Sequence, residues 1–203
     1  MIAFKGFTKD LTATRGKGTF QFKEGETYIE EESKCARTGF HCAEDPFDCF
    51  SYYSLGNGNR FFAVEAAGSL DEDGSNSKIA CTQITLLKEL SLKEMAYYKI
   101  KYMILHPVRN WQSTGCNYKV WENMAEGDGE GTIAIARGKD PKAKGKAGSV
   151  LGLLCEPEEG VFEQVKIFEV KNDIKPDTWY RLVDGKLQEA GDEEKESTGS
   201  STE

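Results

Sequence analysis

Two strand-like segments joined by a polar loop constrain the fold of this chain more than any other feature. Residues 60–67 and 79–87 are rich in β-branched and aromatic residues and alternate in part between apolar and polar positions, as strands do. The segment 71–77 between them contains only acidic residues, Asn, Ser and Gly, which favour loops and turns. The two runs therefore predict an antiparallel pair in a β-rich fold.

Capping signals mark two helices. Asp45 can cap a short helix, and Pro46 suits its first position, where no amide donor is needed. Ser91 and Glu94 form a capping box at the start of a longer helix. The remaining pattern is β, with strands predicted at residues 2–7, 19–22, 27–29, 150–155 and 161–170 and a hairpin turn at residues 184–185.

The second half of the chain has a regular spacing of glycine. Glycines recur every seven residues at 131, 138, 145 and 152, and the alanines between them suit a narrow interior: Ala134, Ala136, Ala143 and Ala147. Tight corners and a thin core are typical of a β-solenoid, and a glycine-rich hairpin is the alternative. We thus expect an α+β, mainly β fold: an N-terminal antiparallel sheet with one short and one longer helix, followed by a short β-solenoid-like or hairpin region.

Charge and composition suggest the domain boundaries and the compartment. The net charge is −8, of which residues 189–203 carry −5, and that segment has no aromatic or branched aliphatic residue. We predict an N-terminal α+β domain at 1–108, a Gly/Ala-rich β region with C-terminal hairpins at 109–188, and a disordered acidic tail at 189–203. No apolar run approaches the ~20 residues of a membrane span, and the N-terminus lacks a signal-peptide pattern. We expect a cytoplasmic protein that does not bind a membrane.

Residues 38–53 concentrate the unusual chemistry of the chain. They hold His41, Cys42, Cys49 and several aromatic rings. With Cys35 these residues could supply zinc ligands, but no Cys-x2-Cys pair is present, and adjacent residues on a strand point to opposite faces, so we predict no metal site. A Cys–His dyad is a further alternative. The main prediction is that His41 is a hydrogen-bonded core residue and that the six cysteines are reduced, mostly buried thiols.

A basic segment supplies the candidate ligand-binding residues. Residues 137–146 carry a net charge of +4. If the cations point outward from solenoid corners, they form a patch suited to a small anionic ligand, although a solvated surface is the alternative. Nucleic acid is not expected as a partner, since the segment has no interleaved aromatic residues for base stacking. The residues assigned to this patch are Arg137, Lys142, Lys144 and Lys146.

Short motifs along nearly the whole chain resemble a family of uncharacterised proteins from phages and prophages. The matching positions are Lys5-Gly6-Phe7, Gly39-Phe40-His41, Pro46-x-Asp48, Tyr52-Tyr53 and Trp179-Tyr180-x-Leu-x-Asp-Gly185. This family resemblance implies no established activity. It departs at Cys42, because relatives commonly place that cysteine one position later.

A more distant likeness is to ADP-ribosyltransferase-type folds. Such a resemblance implies NAD as a cofactor and a nicotinamide pocket lined by a histidine, a tyrosine-bearing helix and a following strand. The matching positions would be His41, Tyr52, Tyr53, Arg60 and Glu65.

No common catalytic motif is present in the sequence: it lacks a phosphate-binding loop, a His-Glu-x-x-His zinc motif and a Gly-x-Ser-x-Gly elbow. We therefore expect a non-enzymatic accessory protein of phage or prophage origin, without a cofactor, acting in the host-cell cytoplasm. It would interfere with a host protein or bind a small anionic ligand. An NAD-dependent ADP-ribosyltransferase-like enzyme is the alternative.

Overall fold

The N-terminal half is a small sheet that closes on itself. The computed structural model describes residues 1–14, 18–72, 74 and 76–191. Pairing runs from β7 through β5 and β1 to β6, and β6 pairs back with β7, which closes a four-stranded barrel, while β4 adds to the edge of β7. The strands of this half are β1 (Ile2–Phe7), β2 (Thr12–Thr14), β3 (Thr19–Gln21), β4 (Thr27–Ile29), β5 (Phe40–Ala43), β6 (Arg60–Glu72) and β7 (Lys78–Glu89).

The predicted antiparallel pair is confirmed and is the longest ladder of this barrel. β6 and β7 pair from Phe62↔Glu89 to Glu72↔Ile79, with two register shifts on the way. Alternation along the strands turns one set of apolar side chains inward. The barrel interior includes Phe7 and Phe62, both fully buried, which pack edge to face at 5.5 Å between ring centroids.

One pair of strands in the barrel is barely joined. β1 pairs with β6 along its whole length, from Ile2↔Glu65 to Phe7↔Arg60. On its other side β1 pairs with β5 only at Phe4↔Ala43. Beyond that point the two strands separate, and their facing edges form a split in the barrel wall.

Both predicted helices are confirmed, and a buried ion pair joins them. The 3-10 helix covers Pro46–Ser51, and the Asp45 side chain accepts a hydrogen bond from the Phe47 amide. The α-helix α1 covers Leu92–Leu105, and Ser91 and Glu94 complete the capping box. The Lys99 ammonium of α1 lies 2.5 Å from the Asp45 carboxylate, with both side chains nearly excluded from solvent. This contact fixes the start of the short helix against α1.

The second half is a mixed sheet of seven strands. β9, β10 and β11 run parallel and in register, with Ile133 of β10 opposite Tyr118 on one side and Val150 on the other. The sheet then continues antiparallel: β12 pairs with β11, and β13 pairs with β10 and β14. The strands are β8 (Ser113–Gly115), β9 (Tyr118–Gly127), β10 (Ile133–Gly145), β11 (Val150–Cys155), β12 (Gln164–Glu169), β13 (Trp179–Val183) and β14 (Lys186–Ala190).

The solenoid prediction is wrong, and so is the glycine-rich hairpin for residues 131–152. The parallel stacking ends at β11, because the chain reverses and β12 returns antiparallel. The narrow alanine interior is present, since Ala134, Ala136 and Ala143 are fully buried. Ala147 is exposed. The hairpins lie farther along the chain. One of them turns at Asp184 and Gly185, which have φ angles of +51° and +72°.

The two halves share one hydrophobic cluster. Phe50 and Met95 from the first half pack in the same cluster as Val120 and Ile135 from the second. No helix within the described ranges is long and apolar enough to cross a bilayer. β14 reaches Ala190 and so includes the first two residues of the predicted tail, while residues 192–203 lie outside the described part of the chain.

Candidate functional site

A cavity of about 450 Å³ opens at the split between β1 and β5. Its size lies within the range usual for small-molecule sites. The 3-10 helix and the loop before β5 complete its walls. The lining combines apolar and aromatic side chains with cationic ones, and its chemically active members are Lys5, Arg37, His41, Cys42, Asp48, Cys49, Tyr52, Tyr53 and Lys78.

Lys5 is the most unusual member of this lining. Its side chain lies on the inward face of β1, between Ala3 and Phe7, and only 8% of the residue is exposed. Its Nζ atom donates a hydrogen bond of 2.8 Å to the backbone carbonyl of His41, across the split. Burial lowers the pKa of the Lys5 amine below its ordinary value. The side chain therefore supplies one hydrogen bond across the split, where backbone ladder bonds are missing.

His41 lies on the same split, but its ring is already engaged. Its Nε2 atom accepts a hydrogen bond of 3.0 Å from the Ala36 amide, so the proton of the neutral ring is on Nδ1. Burial, together with the positive charges of Lys5 and Lys78, lowers the pKa of His41. Ala36 has φ of +61°, a left-handed conformation uncommon for alanine. Burial and the nearby cations thus favour the neutral imidazole, and the Ala36 amide occupies its Nε2 atom.

The thiols of the cavity are not activated as nucleophiles. Burial raises the pKa of Cys49 to about 12. A hydrogen bond with the Cys81 thiol and burial raise the pKa of Cys42 well above its ordinary value. Reactive cysteines need a lowered pKa, so neither residue has the properties of a Cys–His dyad. All six cysteines are free, and five of them are buried.

The single carboxylate of the lining is already occupied. Asp48 accepts two hydrogen bonds from Ser77, at 3.0 Å from the backbone amide and 2.6 Å from the hydroxyl. The cationic members are Lys5, Arg37 and Lys78, and the Lys78 ammonium lies 3.4 Å from the Tyr52 hydroxyl. The charge balance of the cavity is therefore positive.

Tyr53 forms part of the cavity wall next to β1. It packs so closely on Gly6 that a Cβ atom added there would lie 2.7 Å from the Tyr53 ring atom Cδ2. Burial raises the pKa of the Tyr53 phenol, which keeps its hydroxyl protonated. Glycine at position 6 is what permits this contact.

The residues matched to the ADP-ribosyltransferase likeness are only partly brought together. His41, Tyr52 and Tyr53 line the cavity. Arg60 instead forms a two-point ion pair with Glu89, with contacts of 2.8 and 2.5 Å. Glu65 is exposed on β6, opposite Ile2. Neither Arg60 nor Glu65 is part of the lining.

The basic segment does not form the outward-facing patch that the sequence suggested. Arg137 is 2% exposed and donates two hydrogen bonds of 2.6 Å to Glu156, with Trp111 stacked over its guanidinium. Lys142 is also buried, and Lys144 lies 3.4 Å from Glu126 and over the Trp179 ring. Lys146 is exposed. The patch fails because β10 is a central strand with neighbours on both sides, so most of its side chains are covered, which sequence spacing could not show.

Sequence reasoning missed Lys5, Arg37, Asp48 and Lys78 as site residues. For Lys5 a signal was available. It stands between Ala3 and Phe7 on one face of a predicted strand, and a lysine on an inward face is an unusual buried amine. The other residues come from separate segments and meet only in the folded chain. Within the described residues, no group of three or more His, Cys, Asp or Glu side chains could hold a metal ion.

Comparison with known proteins finds a match for the first half of the chain. No curated protein and no solved structure matches it. Residues 1–98 match the model of a family described as a domain of unknown function, DUF7666. That match covers the barrel, the 3-10 helix and the start of α1, so it includes every residue that lines the cavity.

Proposed function

We propose that the chain is a non-enzymatic binding protein and that the cavity between β1 and β5 holds a small anion with an apolar or planar part. The charge balance of the lining carries this proposal. Three cationic side chains face the cavity, and the one carboxylate there, Asp48, is already hydrogen-bonded by Ser77. Three cations and one carboxylate leave the lining with a net positive charge, and an entering anion is attracted more strongly in a partly buried site than in water.

The shape and lining support the second half of the proposal. Phe4, Ala43 and the rings of Tyr52 and Tyr53 provide apolar surface beside the cations. Ligand sites commonly combine such a surface with a few placed polar groups. A planar carboxylate compound would contact the rings with its body and the cations with its charged end.

Binding is favoured over turnover because neither thiol of the cavity is activated as a nucleophile. The pKa values of the Cys42 and Cys49 thiols are raised. The Nε2 atom of His41, whose lone pair a general base would use, already accepts a hydrogen bond from the Ala36 amide. The likeness to phage and prophage proteins supports an accessory role in a host cell, with a host protein as a further predicted partner. The NAD-dependent alternative stays a prediction, and Arg60 and Glu65 lie outside the cavity that would have to serve it.

Calorimetric titration with benzoate and with its neutral analogue benzamide tests the proposal. We expect benzoate to bind and benzamide to bind at least about tenfold more weakly, a difference of about 1.4 kcal/mol. The substitutions Arg37→Gln and Lys78→Gln should each weaken benzoate binding. Lys93→Gln, an exposed position on α1 outside the cavity, is the matched control and should have no effect.

Two results would contradict the proposal. One is equal affinity for benzoate and benzamide, which would remove the role of charge. The other is unchanged benzoate binding in both cavity variants, which would place the ligand elsewhere. Adding NAD to the titrations tests the alternative, since release of nicotinamide would indicate an enzyme.

A further inference from the structure

We propose that Lys5 captures carbonyl-bearing anions covalently, by forming a reversible Schiff base inside the cavity. This inference rests on the proposed function and narrows its ligand class to small anions that carry an aldehyde or ketone group. It assigns to Lys5 a chemical role beyond that of a positive charge.

The Lys5 amine is buried at the cavity wall without a carboxylate partner. Its Nζ atom lies over two aromatic rings, 5.4 Å from the ring centroid of Phe7 and 5.7 Å from that of Phe22, and these cation–π contacts offset only part of the cost of burying an ammonium ion. Its hydrogen-bond acceptor is the neutral carbonyl of His41. Among the described residues, no carboxylate forms a salt bridge with it, and desolvation outweighs the opposing influence of the Cys42, Cys49 and Cys81 thiols. The ammonium form is therefore less stable here than in water.

The protonation state of the amine follows from this environment. Burial lowers the pKa of Lys5, and the unprotonated fraction at neutral pH is therefore larger than for a lysine in water. Only the unprotonated amine has a lone pair that can attack a carbonyl carbon. Desolvation in an apolar pocket is an established way to activate a lysine for Schiff-base formation.

One proton donor lies beside the same strand edge. Tyr53 packs directly on Gly6, the residue after Lys5, and its phenol is kept protonated by burial. His41 is neutral, and a neutral imidazole is too weak an acid for this step. The Tyr53 phenol is therefore the group that can supply the proton that a leaving hydroxyl needs.

The reaction balances without an oxidant or a reductant. The Lys5 nitrogen attacks the carbonyl carbon, a C–N bond forms, and the C=O π pair moves to the oxygen. The nitrogen gives up one proton and the oxygen takes up one, which yields a neutral carbinolamine. The hydroxyl group then takes up a second proton and leaves as water while the nitrogen lone pair forms the C=N bond, and the nitrogen releases its second proton. Addition of water reverses the sequence and releases the ligand.

Reductive trapping with the three formylbenzoate isomers tests the inference on the whole chain. Each isomer is benzoate with an added aldehyde, so benzoate itself is the matched ligand that cannot form a Schiff base. With sodium cyanoborohydride, we expect at least one isomer to yield a stable adduct on Lys5, located by peptide mass spectrometry. Excess benzoate should suppress this adduct, and Lys5→Arg should abolish it. Lys93→Arg is the control and should leave it unchanged.

The outcomes separate this inference from the proposed function. Benzoate binding without a Lys5 adduct from any isomer would overturn the inference and leave the anion site standing. Adducts spread over exposed lysines at the rate seen for Lys5 would also overturn it. If Lys5→Arg does not fold, protection of Lys5 by benzoate in the unmodified chain decides the question. Benzaldehyde carries the aldehyde without the carboxylate. If it forms the Lys5 adduct as readily as the formylbenzoates do, covalent capture by Lys5 stands but the anion site is contradicted.

Discussion

At the scale of single residues, Lys5 is the position where structure and function conflict. A buried amine with a lowered pKa destabilises the fold while it is protonated, because its charge has lost hydration without gaining a carboxylate partner. Its hydrogen bond to the His41 carbonyl offsets part of this cost. Such a residue is better explained by a role in the cavity than by a role in stability.

Substitution of Lys5 by methionine should change how stability depends on pH. Between its lowered folded-state pKa and the ordinary value of 10.5, Lys5 is protonated only in the unfolded chain. The unfolded state then binds more protons, so the free energy of unfolding contributed by Lys5 rises with pH through this window. Urea denaturation from pH 7 to 10 should therefore show the unmodified protein gaining stability relative to Lys5→Met. Parallel pH curves for the two proteins would contradict the lowered pKa.

At the scale of elements, the sequence predicted what depends on local patterns. The strands Ile2–Phe7, Thr27–Ile29 and Val150–Cys155 have the predicted bounds, and both helices begin at the predicted caps. Alternation, capping oxygens and turn residues act within a few positions, and therefore they can be recognised in the sequence alone.

Pairing between strands that are distant in the sequence was the part that the sequence could not supply. The parallel alignment of β9, β10 and β11 and the split between β1 and β5 depend on contacts between distant segments. Glycine spacing in residues 131–152 was compatible with a solenoid, because the same small residues serve any narrow interior. The cavity was missed for the same reason: His41, the tyrosines and strand β1 were each recognised, but the sequence could not show that β1 lies opposite them.

The capping box of α1 offers a test at this scale. Ser91 accepts a hydrogen bond from the Glu94 amide, and the Glu94 carboxylate accepts one from the Ser91 amide. Ser91→Ala should lower the free energy of unfolding by about 1 kcal/mol, measured by urea denaturation. Ser69→Ala is a control, since Ser69 is exposed on β6, away from any helix start. An effect no larger than that of the control would show that the cap does not stabilise the helix.

At the scale of the whole molecule, one hydrophobic cluster joins the two halves of the chain, although the family model matches only the first half. The model of the domain of unknown function ends at residue 98, within α1. The buried face of α1 includes Met95, Ile100 and Met103, and the same cluster contains Ile133, Ile135 and Leu154 from the second half. Removing either half would expose much of this face.

The full chain should therefore unfold in one cooperative step. All three tryptophans lie in the second half, and four of the buried cysteines lie in the first. Tryptophan fluorescence and the labelling of these four thiols in increasing urea thus report on different halves. We expect the two transitions to coincide. Separate midpoints would show that the halves fold independently, in line with the predicted boundary near residue 108.

The most direct test of the anion site is the pKa of Lys5 with and without benzoate. Side-chain nitrogen NMR on lysine-labelled protein, with the signal assigned through Lys5→Arg, measures it in the intact chain. In the free protein the pKa should lie below 10.5, and saturating benzoate should raise it, because a bound carboxylate stabilises the ammonium form. An identical titration with and without benzoate would contradict the account.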